Sequence, residues 1–118
     1  MRVEPMLCKI GKKPFDSKDW LFEPKLDGIR IIAVKKGQNI ELYSRYWKLK
    51  NLQFYPVVNA LKKYSQDFTL DGEICALDKK GIPRFQLIQD LTNLQETSEI
   101  ERLIQEKNLV FYVFDILR

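Results

Sequence analysis

A short segment near the N-terminus carries a lysine in a setting that suits a nucleophile. Residues 23–30 have the sequence EPKLDGIR, and in an extended chain the side chains of Glu23 and Lys25 point to the same side. An Asp-Gly pair then predicts a tight turn, and Arg30 follows as a second cation. An amine must lose its proton before it attacks, and burial beside a guanidinium favours that loss. The competing interpretation is a surface hairpin with salt-bridged Lys25, Asp27 and Arg30, whose ion pairs would contribute little to stability.

The same cations define the chemistry that this lysine would perform. Guanidinium and ammonium groups hold phosphate oxygens and stabilise charge that develops on phosphorus during attack. For residues 23–30 taken alone, a functional role is slightly favoured over the surface hairpin. The segment therefore suits a lysine that attacks the α-phosphate of a nucleotide.

Two carboxylates interrupt an apolar stretch at residues 70–74, which have the sequence LDGEI. Buried carboxylates need partners because an unpaired polar group in an apolar setting is costly. Ribose hydroxyls or a metal ion would be natural partners for Glu73. The alternative is a bulge at the sheet edge with both acids facing water, and on this segment alone the alternative is favoured.

Aromatic side chains occur in two further segments. Residues 111–117, FYVFDIL, predict a strand in which Phe114 shares a face with Tyr112 and Ile116, and its ring could stack on a purine base. An ordinary core phenylalanine is the default interpretation. Residues 42–50, LYSRYWKLK, interleave aromatic rings with cations in a way that suits a nucleic-acid backbone, although a solvated loop with a half-buried Trp47 is favoured without other evidence.

The elements that would position these residues are mixed in type. Apolar patterning predicts strands at residues 20–23, 29–35, 40–44, 68–77 and 110–117, with the fourth interrupted at residues 71–73. Helical periodicity predicts helices near residues 56–64, 84–91 and 98–106, the last opened by a capping box from Ser98 to Glu101. The strands do not alternate regularly with helices, so the sequence predicts α+β with a mostly antiparallel sheet and flanking helices.

Composition limits the remaining possibilities. The 118 residues carry a net charge of +4, which fits a polyanionic partner or simply a solvated surface, and the surface is favoured on charge alone. The absence of histidine excludes a histidine-based triad or zinc site within this chain. Cys75 lies in an apolar run and is expected to be a buried, reduced thiol. Because no signal core or membrane-spanning segment is evident, we expect a cytoplasmic location and no membrane partner.

The order and spacing of these motifs resemble the nucleotidyltransferase superfamily of ATP-dependent DNA ligases, RNA ligases and mRNA capping enzymes. The lysine motif, the Ser-Arg motif, the acidic motif and the aromatic strand motif of that superfamily match residues 23–30, 44–45, 71–73 and 111–117. The segment before the lysine, at residues 5–7 and 20, also resembles bacterial end-joining DNA ligases. The GIPRFQ segment at residues 81–86 resembles them as well. The resemblance covers nearly the whole chain.

The resemblance implies a fold, a reaction and a role for each matched residue. Residues 1–118 would form the N-terminal portion of an ATP-dependent DNA ligase adenylation domain, a partial nucleotidyltransferase (ATP-grasp-like) fold. Lys25 would take AMP from ATP with Mg²⁺ present, pass it to a DNA 5′-phosphate, and a 3′-hydroxyl would then seal the nick. The implied contacts are Glu23 with the adenine edge, Arg30 and Arg45 with ribose or phosphate, Glu73 with ribose or Mg²⁺, and Phe114 with the adenine ring.

The chain departs from the superfamily pattern at two places. After the Ser-Arg pair the family has Asn-Gly, where this chain has Tyr46 and Trp47, and glycine permits backbone angles that tryptophan resists. The later motifs, namely a second glutamate motif, a lysine pair that grips the phosphates and an OB domain, would follow Arg118. The sequence thus leaves two hypotheses: a ligase piece that needs a second chain or domain for activity, and a non-catalytic truncated relative that binds nucleotide or DNA. A capping-type or RNA-ligase substrate stays open beside DNA.

Overall fold

A computed structural model describes residues 3–117 of the chain as one sheet with helices on one side. The strands and helices, in chain order, are β1 Ile29–Lys36, β2 Asn39–Tyr43, α1 Tyr55–Leu61, β3 Phe68–Leu77, α2 Gln86–Gln89, α3 Thr97–Gln105 and β4 Asn108–Ile116. The sheet has four strands in the order β2-β1-β3-β4, and every neighbouring pair is antiparallel. This arrangement confirms the predicted α+β class and antiparallel sheet.

The core lies between one face of the sheet and the three helices. Alternation along β1 sends Ile31 and Ala33 to this face, and both are fully buried. Phe54, which precedes α1, is also fully buried and closes the core beside the helix. The other core side chains come from the strands, from the helices and from the segment that follows α2: Ile40, Leu42, Val57, Val58, Leu61, Ile74, Ala76, Ile88, Leu91 and Ile100. Arg30 and Ile32 alternate with Ile31 and Ala33 along β1 and lie on the opposite face of the sheet.

The hairpin between β1 and β2 forms where turn chemistry predicted it. Lys36 pairs with Asn39, and Gly37 between them adopts a positive φ of 59°, which glycine tolerates without a side-chain clash. The Gly37 amide donates to the Asp67 side chain at 2.8 Å, which ties the turn to the start of β3. The register of β1 is thereby fixed at its end farthest from residues 23–30.

Three predicted elements differ from the structure. No strand forms at residues 20–23, because these residues have no neighbouring strand to pair with and lead into Pro24, which lacks an amide donor. The helix predicted at residues 84–91 shortens to the single turn of α2. The capping box is wrong as well: α3 begins at Thr97, and the Ser98 hydroxyl donates to the Glu96 carboxylate at 3.0 Å instead of capping the helix.

The acidic motif does not interrupt its own strand. β3 runs without a break from Phe68 to Leu77, and the irregularity falls on its pairing with β4, between Asp71 and Gly72. Asp71 pairs with Asp115 and Gly72 pairs with Val113, so Phe114 is the extra residue of a β-bulge. The bulge breaks the alternation of β4.

The bulge also changes which side chains share a face. Ile116 lines an apolar cavity together with Val113, whereas Phe114 turns to the opposite side and contacts Arg30. The prediction that Phe114 shares a face with Ile116 was therefore wrong. The extra residue is what places the Phe114 ring on the polar side of the sheet.

The turn after β2 accommodates tryptophan where the superfamily has glycine. Trp47 adopts a φ of 60°, the left-handed conformation that costs most residues roughly 1–2 kcal/mol. The turn is closed by the Trp47 amide donating to the Ser44 carbonyl and the Ser44 amide donating to the Lys48 carbonyl, both at 2.9 Å. The Trp47 ring packs on Tyr43 with centroids 5.0 Å apart. The glycine-type backbone is thus kept with a tryptophan side chain.

Helix length bears on the membrane prediction. Within residues 3–117, no helix is long and apolar enough to span a bilayer.

Candidate functional site

The centre of the candidate site is a guanidinium–carboxylate pair that joins β1 to β3. Arg30 Nε donates to Asp71 Oδ1 at 2.6 Å, and Arg30 Nη2 donates to Asp71 Oδ2 at 2.7 Å. The Asp71 side chain is only 4% exposed and that of Arg30 18%. This bidentate hydrogen bonding raises the pKa of Arg30 further above its usual value, so the guanidinium is a fixed positive charge.

Arg30 has two further contacts that define its surroundings. Arg30 Nη2 also donates to the Met6 carbonyl oxygen at 2.8 Å, which anchors the N-terminal residues to β1. Its guanidinium carbon lies 4.9 Å from the centroid of the Phe114 ring, a cation–π distance. Phe114 is 43% exposed, so the ring still presents surface to solvent. The bulge in β4 is the element that positions this ring.

Glu73 lies beside this pair on the same face of the sheet. It pairs directly across from Arg30 on β1 and from Tyr112 on β4. Burial raises the pKa of the Glu73 carboxyl above its ordinary value, and a hydrogen bond from the Gly28 backbone together with the charge of Arg30 partly opposes that rise. The carboxylate is thus partly desolvated and would gain from a cation or from hydroxyl donors.

Glu73 offers one carboxylate ligand to a metal ion. Among residues 3–117, no group of three or more histidine, cysteine or acidic side chains is arranged to hold a metal. Mg²⁺ commonly binds through one or two carboxylates together with water and substrate phosphates. Glu73 therefore fits the part of one carboxylate ligand, with the remaining ligands of such an ion coming from outside this cluster.

The segment that carries Lys25 is attached to this site at its C-terminal end. A Cβ atom on Gly28 would meet the Ile74 carbonyl oxygen and lie 2.8 Å from the Cys75 sulfur, so only glycine fits against β3 there. Asp27 Oδ2 accepts a hydrogen bond from the Phe85 amide at 3.0 Å. Lys25 itself is exposed and precedes β1 in irregular chain, rather than following a strand as predicted. Its amine makes no hydrogen bond or ion pair with any residue from 3 to 117.

The structure brings some predicted site residues together and leaves others apart. Arg30, Glu73 and Phe114 form one cluster, whereas no hydrogen bond, ion pair or ring contact among residues 3–117 joins Glu23 or Arg45 to it. Glu23 is exposed. The Arg45 guanidinium lies over the Tyr46 ring at 4.9 Å, in the turn that follows β2. The structure thus brings together only some of the residues that the motifs predicted for one site.

Two acidic residues that sequence reasoning did not assign have defined roles here. Asp71 holds Arg30, and Asp27 holds the β3–α2 connection; neither forms the local salt-bridged hairpin that was considered as the alternative for residues 23–30. The signal for Asp71 was present as an acid in an apolar strand. Its partner could not be named because the partner depends on the register between β1 and β3.

Comparison with known proteins shows the family of this chain. Residues 5–118 match the family model described as the ATP dependent DNA ligase domain. A solved ligase domain from M. tuberculosis LigD superposes with a TM-score of 0.62 at 26% identity, and the alignment covers 81% of this chain and 28% of that one. The match covers nearly the whole chain, and the chain belongs to the ATP-dependent DNA ligase domain family.

Individual relatives carry the names of DNA ligases, of a DNA ligase-like protein and of an end-joining protein. The SPbeta prophage-derived DNA ligase-like protein LigB of Bacillus subtilis is 30% identical over 99% of this chain and 40% of its own length. The DNA ligase of Methanocaldococcus jannaschii is 36% identical over 98% of this chain and 19% of its own length. The multifunctional non-homologous end joining protein LigD of Mycolicibacterium smegmatis is 32% identical over 96% of this chain and 14% of its own length. This chain therefore spans less than half of each relative.

Proposed function

We propose that this chain is the part of an ATP-dependent DNA ligase that binds the nucleotide and provides the lysine nucleophile. The observation that supports the proposal is the cluster of Arg30, Glu73 and Phe114 on one sheet face, which Gly28 connects to the lysine segment. A guanidinium, a partly desolvated carboxylate and an accessible ring match the phosphate, the ribose and the base of a nucleotide. The match to the ligase family supports ATP as that nucleotide.

In the proposed reaction, Lys25 is the nucleophile and ATP is the substrate. The lysine nitrogen, after loss of a proton to solvent, forms a bond to the α-phosphorus while the bond to pyrophosphate breaks. AMP then passes to a DNA 5′-phosphate, and a 3′-hydroxyl displaces it to seal the strand. Glu23 would read the adenine edge, Arg45 would contact ribose or phosphate, and Glu73 would share Mg²⁺ with the phosphates.

We also propose that a further polypeptide segment packs against this chain and completes the domain. An apolar cavity of about 590 Å³ lies between α1 and the strands β3 and β4. Leu109, Phe111 and Val113 of β4 line it, and Val113 and Ile116 are 43% and 71% exposed. This chain spans only 28% of the solved ligase-domain chain. We therefore expect the remaining part of a ligase, joined to this chain or separate from it, to pack on this face.

Transfer of label from α-labelled ATP tests the proposal. We expect the chain alone, with Mg²⁺, to form little or no lysyl-AMP, because departing pyrophosphate needs more cations than Arg30 and Arg45 provide. A fusion that supplies the remaining portion of the Bacillus relative should form a labelled band that survives denaturation. The band should disappear in Lys25→Ala and persist in Lys18→Ala, a matched exposed lysine. A band that survives Lys25→Ala would refute the assignment of the nucleophile.

A second function is favoured by one feature of the site. Arg30 is already engaged by Asp71, Met6 and Phe114, so a nucleotide phosphate would compete with existing contacts. This favours a non-catalytic relative that binds nucleotide or DNA weakly. In that case the fusion would remain unlabelled while equilibrium dialysis still detected bound nucleotide.

DNA binding by the isolated chain is expected to be weak and to depend on salt. Arg45 and Lys48 are both exposed in the turn after β2, where Tyr46 is 72% exposed. Phosphate contacts release counterions, so the affinity for a nicked duplex should fall steeply as salt rises. The double substitution Arg45→Ala with Lys48→Ala should weaken binding to all sequences alike, because phosphate contacts carry no sequence information. Fluorescence anisotropy over a salt series measures both effects, and salt-independent binding would contradict them.

A further inference from the structure

Three aromatic rings form a cluster in the irregular chain that precedes β1. The Phe15 ring contacts Trp20 with centroids 5.6 Å apart in an edge arrangement, and contacts Phe22 with centroids 5.5 Å apart. We call Phe15, Trp20 and Phe22 the lead-in cluster. Their exposed fractions are 57%, 64% and 59%. The rings thus contact one another while more than half of each side chain stays exposed to solvent.

A local turn gives the lead-in cluster its geometry. The Trp20 amide donates to the Ser17 carbonyl at 3.3 Å, and the Asp19 amide donates to the Ser17 hydroxyl at 3.2 Å. This turn reverses the chain between Phe15 and Trp20 and brings the two rings together. The ring contacts and the turn that form the cluster thus all lie within residues 15–22.

An open pocket with a volume of about 510 Å³ adjoins the lead-in cluster. It is lined by two of the rings and by a lysine pair with its neighbours: Gly11, Lys12, Lys13, Pro14, Phe15 and Phe22. Its volume lies within the range of small-ligand pockets. Aromatic faces and ammonium groups therefore line one surface.

The charge of this region is positive and unneutralised. Residues 9–22 contain four lysines and two aspartates, a net charge of +2. Lys12, Lys13 and Lys18 are exposed, and none of them forms a hydrogen bond or ion pair within the described chain. An apolar protein partner would leave these ammonium groups without counterparts. A chain of phosphates would supply negative counterparts to them.

We propose that the lead-in cluster binds an unpaired single-stranded DNA segment, with one base stacked against the rings of Phe15, Trp20 and Phe22 and the adjoining phosphates held by Lys12 and Lys13. Combined stacking and backbone charge is the general means of holding single strands without sequence preference. This inference rests on the proposed action of the chain on DNA, and it extends the substrate to DNA ends that carry an unpaired tail. No residue of the lead-in cluster belongs to the turn with Arg45 or to the Arg30 cluster.

Three DNA probes test the inference: a nicked duplex, the same duplex with an unpaired dT tail, and oligo(dT) alone. We expect the tail to strengthen binding about five- to tenfold, which corresponds to stacking of roughly one base. Trp20→Ala and the double substitution Lys12→Ala with Lys13→Ala should each remove that gain and leave binding of the tail-free duplex unchanged. Lys62→Ala with Lys63→Ala, an exposed lysine pair after α1, is the matched control and should keep the gain.

Tryptophan fluorescence gives a second measurement. Oligo(dT) should quench the emission of the wild-type chain, and the part of the quench that comes from Trp20 should be lost in Trp20→Phe, in which Trp47 is the remaining tryptophan. Binding of the nicked duplex with neither a tail effect nor a Trp20 quench would overturn the inference while leaving the proposed function intact. A Trp20 quench by oligo(dT) without duplex binding would support the inference and refute the action on nicks. A response to anionic phosphatidylserine vesicles but not to oligo(dT) would overturn it in favour of a lipid surface.

Discussion

Asp71 neutralises a guanidinium that is mostly removed from water. Because the pair is nearly buried, removing the charge of one partner leaves the other inadequately compensated, a cost of about 2 kcal/mol for a pair at the edge of burial. We therefore expect Asp71→Asn to lower the free energy of unfolding by about that amount in urea titrations. Asp78→Asn is the matched control, since Arg84 is 55% exposed, and its loss should be much smaller. Equal losses would show that Asp71 does not hold Arg30 as described.

The raised pKa of Glu73 makes stability depend on pH in a defined direction. Between the ordinary glutamate pKa and the raised value, the folded chain binds the Glu73 proton and the unfolded chain does not. The free energy of unfolding should therefore fall as pH rises through that window, because ionisation then opposes folding. Glu73→Gln cannot titrate, so its unfolding free energy should fall less over the same window. A wild-type profile with the opposite slope relative to Glu73→Gln would contradict the burial of this carboxylate.

Sequence reasoning identified part of the candidate site, and a physical limit explains the rest. Arg30, Glu73 and Phe114 were selected by type and spacing, and the structure places them together. Asp71 was seen as an acid that needs a partner, but its partner is 41 residues away and follows only from strand register. The bulge at Phe114 also depends on pairing between strands, so alternation within one strand predicted the wrong companion for the ring.

At the scale of elements, the turn after β2 combines a strained backbone with a packed ring. Trp47→Gly and Trp47→Ala both remove the contact with Tyr43, but only glycine adopts a φ of 60° without a steric penalty. We expect Trp47→Ala to be less stable than Trp47→Gly by about 1 kcal/mol, despite the greater chain entropy that glycine adds to the unfolded state. Thermal unfolding of both variants measures the difference. If the alanine variant is equal or more stable, the turn has relaxed out of the left-handed conformation.

Elements with strong local signals were predictable, and those that depend on distant contacts were not. The hairpin of β1 and β2, the strand β3 and the helix α1, with Pro56 in its first turn, follow from turn chemistry, branched apolar runs and periodicity. The segment at residues 20–23 has apolar residues typical of a strand but no partner, and its aromatic rings associate with Phe15 instead. Whether a short apolar run becomes a strand is decided by its neighbours in space, which one sequence does not reveal.

At the scale of the whole molecule, the edge strand β4 and the adjoining cavity form an incomplete face. An exposed strand edge beside apolar side chains pairs readily with another chain. We expect the isolated chain to associate in a concentration-dependent way, measured by sedimentation velocity. Ile116→Lys should reduce the association because Ile116 lines the cavity, whereas Ile82→Lys, 45% exposed elsewhere, should not. A monomer at all concentrations would indicate that this face is closed without a partner.

Arg30 donates a hydrogen bond to the Met6 carbonyl, so a ligand that binds the guanidinium would change how the N-terminal residues are attached to β1. A phosphate that drew Arg30 away would release Met6, and the chain around Lys9 would become a better protease substrate because cleavage requires local unfolding. Nucleotide occupancy should then accelerate trypsin cleavage after Lys9, a reversal of the protection that ligands usually confer. Limited proteolysis with and without ATP, compared in wild type and Arg30→Lys, measures this coupling. Uniform protection by ATP would mean that the hydrogen bond from Arg30 to the Met6 carbonyl persists when the nucleotide binds.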